Sequence, residues 1–438
     1  MKSNSAMKLK ENSTIKIITG GEAKVLQELG AGGQGTVYKV HYGGKEYALK
    51  WYHKPGKQEF YDNLKHNIDK GSPSSAFLWP LFLTEKDSEG CYGYLMELRD
   101  PAYREFSDFL LAKVKFQSVE AMIEAGINIC YGFRRLHSAG YSYQDLNDGN
   151  FFINPANGDV LICDNDNVAP PGTKTGILGK CRYMAPEVVL RKSNPNPQSD
   201  RFSLAVILFL LLFNSHPLEG EQLVKYACLT EKNEKVFFGS HPVFIYDPQD
   251  TSNRPVPGIH VNVLLLWKQY PDYVRTLFQD QFSQDALHDP SRRITEKEWL
   301  NELLLPLRHD LIRCPRCGNE IFARITAQSS TFICEDCGST LQRPPLIQVG
   351  HYKVVPCPDK KIYQYITDSN KPKLRTCTAQ VVESKKTPGL FGLRNLTTDT
   401  WMLTTKSGAT RPIAPQQAAP LLMGNTISFG NGTEAKIV

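Results

Sequence analysis

Gly30-Ala31-Gly32-Gly33-Gln34-Gly35 is a glycine-rich turn, and together with the residues just after it this segment narrows the fold more than any other stretch of the chain. Glycines at this spacing let backbone N–H groups close around phosphate oxygens, but two architectures use them. In a dinucleotide-binding fold the last glycine opens a helix. Here Thr36-Val37-Tyr38-Lys39-Val40 comes at once, β-branched and aromatic, and predicts a strand. The loop therefore joins two strands, which argues against the dinucleotide fold. Fifteen residues beyond Gly35, the run Tyr47-Ala48-Leu49-Lys50 predicts another strand, ending on a cation.

At 438 residues the chain is too long for one ordinary core, and two or three domains are expected. A formal charge of +6 with no dominant Lys/Arg run predicts a mildly basic surface and argues against nucleic-acid binding. The first residues lack the apolar core of a signal peptide. The longest apolar run, Leu204 to Phe213, is about half of what a bilayer requires, so a cytoplasmic protein without a membrane span is expected. Residues 1–20 read as a lead-in. Strand patterns dominate from 21 to 98, with one helix expected over Gln58 to Asp69. From 99 to 310 the pattern is helical: Val119–Ala139 between Ser118 and Gly140 as caps, Arg201–Phe213, Val261–Gln281, and Thr295–Leu305 with a Thr295/Glu298 capping box.

Within the helical part, Tyr143-Gln144-Asp145-Leu146-Asn147-Asp148-Gly149-Asn150 puts an Asp and an Asn on one loop, and Asp164 comes fourteen residues after Asn150. With the glycine loop and Lys50, these residues resemble the protein kinase family, in which H-R-D-L-x-x-x-N is followed by D-F-G. Leu95-Met96-Glu97-Leu98 is similar to the hinge strand and Met184-Ala185-Pro186-Glu187 to A-P-E. Asp200-Arg201-Phe202-Ser203 resembles the helix start whose Asp braces the catalytic loop. Asp289 to Thr295 resembles D-P-x-x-R-P-T, whose Arg, here Arg293, pairs with Glu187. Matches in this order imply an α+β, bilobal protein kinase fold over 21–310, with the N-lobe at 21–98 and the C-lobe at 99–310.

The resemblance implies ATP and Mg²⁺ as cofactors and a Ser/Thr hydroxyl of a protein as phosphoryl acceptor. By the family's pattern Asp145 accepts the hydroxyl proton, while Asn150 and Asp164 hold Mg²⁺. Lys50 binds the α- and β-phosphates beneath the loop Gly30, Ala31, Gly32, Gly33, Gln34 and Gly35. Val37, Ala48, Met96 as gatekeeper, and the backbone of Glu97 and Leu98 surround adenine. Glu59 is expected to be the helix carboxylate that pairs with Lys50, and His137 a buried structural histidine. Some letters depart from the family: Gln144 replaces an Arg, Asn165 and Asp166 replace Phe and Gly, and Asn147 replaces a Lys that stabilises the transferring group. Lys180, at a position usually held by Thr, is expected to supply that cation from the opposite side. The departures leave a nucleotide-binding scaffold without turnover as the alternative.

Four of the eleven cysteines form Cys314-x-x-Cys317 and Cys334-x-x-Cys337, each pair followed by glycine. Such knuckles supply four thiolates to a tetrahedral Zn²⁺, a filled and hence structural site, here in a zinc ribbon over 311–343. Past Pro344-Pro345, short runs at Tyr352–Val355, Lys361–Ile366 and Thr400–Thr405 predict a small all-β, sandwich-like domain over 344–438. Parts of it resemble a forkhead-associated module, and an interaction role is expected. A phosphoprotein- or nucleic-acid-binding role centred on these C-terminal modules is a further alternative. A divergent kinase followed by a ribbon is similar to bacterial kinases that accompany a PP2C-type phosphatase and a von Willebrand A protein in stress or tellurium-resistance systems. The resemblance makes these the implied partners, beside a protein substrate.

Overall fold

The structure is a computed structural model that describes residues 8–173, 179–323, 331–387 and 389–438. The chain divides into two compact units, residues 1–267 with 273–300, and residues 268–272 with 301–438.

The first unit opens with a six-stranded antiparallel sheet: β1 (Thr14–Lys16), β2 (Glu22–Ala31), β3 (Gly35–Tyr42), β4 (Lys45–Tyr52), β5 (Phe82–Leu83) and β6 (Gly93–Glu97), in the order β1-β2-β3-β4-β6-β5. Gly43 and Gly44, both at positive φ, join β3 to β4, because a two-residue hairpin that follows strand twist needs left-handed backbone at both central positions. Strand alternation sorts the side chains onto two faces. Val25, Tyr38, Val40, Leu49, Trp51 and Leu95 share one apolar cluster, while Ala48, Tyr52, Tyr94 and Met96 share another with Leu64 of helix α1 (Gln58–Lys70). Leu64 is fully buried, which contributes about 2 kcal/mol.

The remainder of this unit is mainly helical. Helix α2 (Val119–Ser138) begins at Ser118, whose hydroxyl accepts a hydrogen bond from Ala121 N, and Gly140 takes φ +82° just past its end. Helix α3 (Pro197–Phe213) starts four residues before Arg201. Asn196 and Ser199 close a capping box there, and Pro197 occupies the first turn, where its missing N–H costs nothing. The single helix predicted across 261–281 is two, Val261–Gln269 and Asp272–Gln281. Pro271 separates them, because it lacks the N–H donor and restricts the residue before it. The Thr295/Glu298 capping box forms as expected.

In the second unit, Leu311–Arg313 pairs with Glu320–Phe322 and Thr331–Ile333 with Thr340–Gln342, giving two short hairpins. A six-stranded and a four-stranded antiparallel sheet complete it. Alternate residues are buried along their strands, among them Ala379 and Val381 in one sheet and Trp401 and Leu403 in the other. Where alternation predicts a strand through Ile366, the strand ends at Tyr363 and Gln364–Thr367 turns helically. Tyr365, Ile366 and Thr367 are all buried, which a strand with one solvated face does not permit.

Candidate active site

Lys50 is placed by β4, opposite Val37 of β3 and Tyr94 of β6, so its side chain leaves the sheet on the Ala48–Tyr52 face. Its Nζ lies 2.8 Å from Asp166 Oδ2 and 3.2 Å from Asp164 Oδ1. Burial works against its charge, but Asp166 and Asp164 more than offset this and hold the lysine above its ordinary range. The Tyr52 hydroxyl donates to the same Asp166 oxygen at 2.5 Å. Asp166 is completely buried, whereas the Asp164 side chain is 45% exposed.

The expected pairing of Lys50 with Glu59 does not form. Glu59 stands exposed in the first turn of α1, where the helix dipole favours an anion, and it makes no ion pair with Lys50. The face of α1 that does engage the segment after Asp164 carries amides: Asn63 and Asn67 each donate to Val168 O at 2.8 Å. Asp166 is the residue that the family pattern passes over, because that position holds Gly there. The available signal was an extra Asp two residues after Asp164 in a chain whose helix offers a poor carboxylate.

Asp164 itself takes a left-handed backbone, φ +56°, and begins the turn Asn165–Asn167. Asn165 fastens that turn by donating to both Leu78 O and Ile162 O at 2.8 Å. On the facing loop, Gln144 also has positive φ and is buried. Asp200, at the start of α3, accepts from Tyr143 N at 2.7 Å and Gln144 N at 3.4 Å, which fixes the loop backbone. His137 reaches Asp200 at 3.1 Å and Glu296 at 2.9 Å. Arg293 forms a two-pronged pair with Glu187, at 2.7 and 2.8 Å.

Asp145 is held from several sides. Asn150 donates to its backbone carbonyl at 2.7 Å, and Asn147 to its carboxylate at 3.3 Å. Burial raises the Asp145 carboxyl above the usual range, opposed by the Asn147 hydrogen bond. Gly179 abuts it so closely that a Cβ there would lie 2.9 Å from Asp145 Oδ1. Lys180 pairs with Asp148 at 3.0 Å and is 58% exposed; its charge also acts on Asp145, favouring the anion. Asn150 and Asp164 offer an amide carbonyl and a partly exposed carboxylate, oxygen donors of the kind a hard Mg²⁺ ion takes.

The glycine loop spans the β2–β3 turn, with Gly32 N donating to Gly35 O at 2.8 Å. Only glycine fits at Gly35, since a Cβ would come within 2.5 Å of Trp51 O. Val37, Leu98, Leu161 and Cys163 pack, partly buried, against the cluster of Ala48 and Met96. Glu97 is exposed and bonded to Lys45 at 2.7 Å. Beside the catalytic loop, a cavity of about 440 Å³ is lined by Ser107, Asp148, Arg182, Tyr183, His216 and Glu219 among others.

In the second unit the four thiols of Cys314, Cys317, Cys334 and Cys337 lie within 4.8 Å of one another. Two of their Sγ···Sγ separations are 3.9 and 3.8 Å. Zinc–sulfur bonds of about 2.3 Å in a tetrahedron require an edge of about 3.8 Å, so the set fits the ion. Gly318 and Gly338, at φ +79° and +68°, return their N–H groups to Cys314 O and Cys334 O, closing the knuckles.

This chain belongs to the protein kinase domain family, whose model matches residues 23–302. It is 25% identical over 332 residues to protein kinase YegI of Escherichia coli (strain K12), covering 69% of this chain and 47% of that protein. It is 35% identical over 101 residues to serine/threonine-protein kinase PknL of Mycobacterium tuberculosis, covering 22% and 25%. Mitogen-activated protein kinase 6 of Oryza sativa subsp. japonica is 27% identical over 201 residues, covering 42% and 50%. The chain thus spans about half the length of the first and third of these relatives. Among the described residues, no helix is long and apolar enough to cross a membrane.

Proposed function

We propose that this chain transfers the γ-phosphoryl group of Mg·ATP to a Ser or Thr hydroxyl of a protein. The observation that carries the reading is that Lys50 lies 3.2 Å from Asp164, while Asn150 holds the backbone of Asp145 and its own backbone carbonyl accepts from the N–H of Cys163, the residue before Asp164. Asp145 accepts the proton of the attacking hydroxyl, and its raised affinity for protons suits that task. Lys50 neutralises charge on the nucleotide phosphates. Val37, Ala48, Met96 and Leu98 contribute the apolar slot for adenine, and Glu97 and Leu98 its backbone partners. Asn150 and Asp164 would hold Mg²⁺, which when bound neutralises the β- and γ-phosphates. Lys180 supplies the cation that Asn147 cannot, from beside Asp148. The cavity lined by Asp148, Arg182 and Glu219 receives part of the protein substrate.

The four cysteines bind one structural Zn²⁺, and the β-rich region after them is an interaction module. A signalling or stress role in the cytoplasm with a PP2C-type phosphatase and a von Willebrand A protein is part of the same proposal. It draws on likeness of architecture.

The test is phosphorylation with labelled ATP and Mg²⁺, comparing the wild type with Asp145→Asn, Asp164→Ala and Lys180→Ala. Wild-type labelling on Ser or Thr that is lost in the two Asp variants, and reduced about tenfold in Lys180→Ala, is the expected result. Nucleotide binding without any labelling would replace the enzyme by the scaffold reading, which the changed Asn147 and Asp166 motivate. Labelling on Tyr would overturn the acceptor assignment.

A further inference from the structure

In the kinase family the nucleotide-binding lysine is oriented by a Glu on the helix packed beside the sheet. The acidic residues of α1, Glu59, Asp62 and Asp69, are all exposed, and its buried positions are Leu64 and Asn67. We propose that Asp166 is the positioning residue for Lys50, so that the lysine–carboxylate pair is built inside the segment that carries Asp164 and not between β4 and α1. This rests on the phosphoryl-transfer reading above and extends it to how the site is assembled and controlled.

Three observations support it. First, Asp166 makes the shorter of the two ion pairs to Lys50, 2.8 Å against 3.2 Å, and it is the buried partner. Second, one of its oxygens, Oδ2, takes both the Lys50 and the Tyr52 hydrogen bonds, while Oδ1 is buried without a hydrogen-bond partner. A carboxylate so enclosed depends on Lys50 for its charge balance, and each group therefore fixes the other. Third, the turn that carries Asp166 is fastened to Leu78 O and Ile162 O through Asn165.

The arrangement has a chemical consequence for Asp164. With Asp166 present, Lys50 is shared between two carboxylates, and Asp164 keeps negative charge for Mg²⁺. Without Asp166, Lys50 has Asp164 alone and competes with the metal for it. It also has a regulatory consequence. The counter-ion of Lys50 lies on the segment after Asp164 and not on α1, so a swing of α1 is not what supplies it; α1 touches that segment through the amides of Asn63 and Asn67 on Val168 O. This agrees with Gln144, which lacks the guanidinium that a phosphorylated activation loop would engage.

The experiment uses the full chain with two readouts: turnover, and the Mg²⁺ concentration that gives half-maximal binding of a fluorescent ATP analogue. Asp166→Asn keeps the shape and removes the charge. It is expected to raise the half-maximal Mg²⁺ concentration about tenfold and to lower kcat by at least about tenfold. Tyr52→Phe keeps the charge but frees the carboxylate, and should shift both readouts the same way by a smaller factor. Glu59→Gln should leave both unchanged. Wild-type Mg²⁺ dependence in a folded Asp166→Asn variant would overturn the proposal, as would a Glu59→Gln variant that reproduces the loss. Should Asp166→Asn fail to fold, Tyr52→Phe decides, and unchanged Mg²⁺ dependence there rejects Asp166 as the positioning group. The binding arm needs no turnover, so Asp166 is judged even if the transferase reading fails.

Discussion

His137 offers a quantitative test of how the catalytic loop is held. Its ring sits between two carboxylates, Asp200 at 3.1 Å and Glu296 at 2.9 Å, and Arg201 shares Glu296 at 3.0 Å. All three members of the His137–Asp200–Glu296 contact are nearly inaccessible to water. Burial opposes the imidazolium, but the hydrogen bonds to Asp200 and Glu296 outweigh it and lift the histidine from 6.5 to about 9. Glu296 shows the same contact from the other side: burial pushes its carboxyl up, yet His137 and Arg201 bring it down to about 2. Both shifts arise in part from the one His137–Glu296 contact. A histidine that binds its proton more tightly when folded stabilises fully below the unfolded value, near 6.5, and loses that contribution as pH rises through about 9. At roughly 1.4 kcal/mol per pKa unit, the contribution is about 3 kcal/mol. The assay is urea unfolding of wild type and His137→Gln at pH 6 and pH 9.5, because the difference between the two proteins cancels other titrating groups. The stability gap between them should shrink by about 3 kcal/mol over that interval. A gap that stays constant with pH would refute the reasoning. Since Asp200 also accepts from Tyr143 N, the same titration reaches the catalytic-loop backbone.

Three further outcomes are expected. Glu187→Ala leaves the fully buried Arg293 guanidinium without its two-pronged partner and should cost about 3–5 kcal/mol, read as a lowered urea midpoint; a loss below about 1 kcal/mol would contradict the buried-pair assignment. Gly179→Ala places a methyl group 2.9 Å from Asp145 Oδ1, so kcat should fall about tenfold while the KM for ATP and the melting temperature change little; unchanged kcat would show that the loop yields freely. The purified chain should carry one Zn²⁺, and Cys334→Ala should lose it and make the ribbon protease-sensitive; metal-free wild type with an intact ribbon would reject the site.

The protein kinase family and the residues of its candidate site were legible along the chain. Lys50, Asp145, Asn150 and Asp164 stand at spacings that only a few folds use, and the two cysteine knuckles need little beyond local turns to face one another. Strand alternation found β3 and β4, and Ser118, Gly140 and the Thr295/Glu298 capping box marked helix ends, because those signals act within a few residues; the Asn196/Ser199 box, which starts α3 four residues earlier than expected, was missed. Misreadings arose where local and distant demands conflict. Periodicity ran through Pro271, where backbone chemistry breaks the helix, and alternation ran through Tyr365 and Ile366, whose joint burial demands a turn.

The linear pattern alone, then, determined the fold class and picked out the residues, Lys50, Asp145, Asn150 and Asp164, to which the proposed function assigns phosphate, metal and proton. Only the tertiary structure decided which carboxylate serves Lys50. The choice lay between Glu59, nine residues away, and Asp166, 116 residues away, and proximity along the chain pointed to the wrong one. A buried cation takes the anion that is buried with it, since an exposed carboxylate gains little by leaving water. Which group is buried depends on how the strand, the turn and the helix pack together, and no local pattern encodes that.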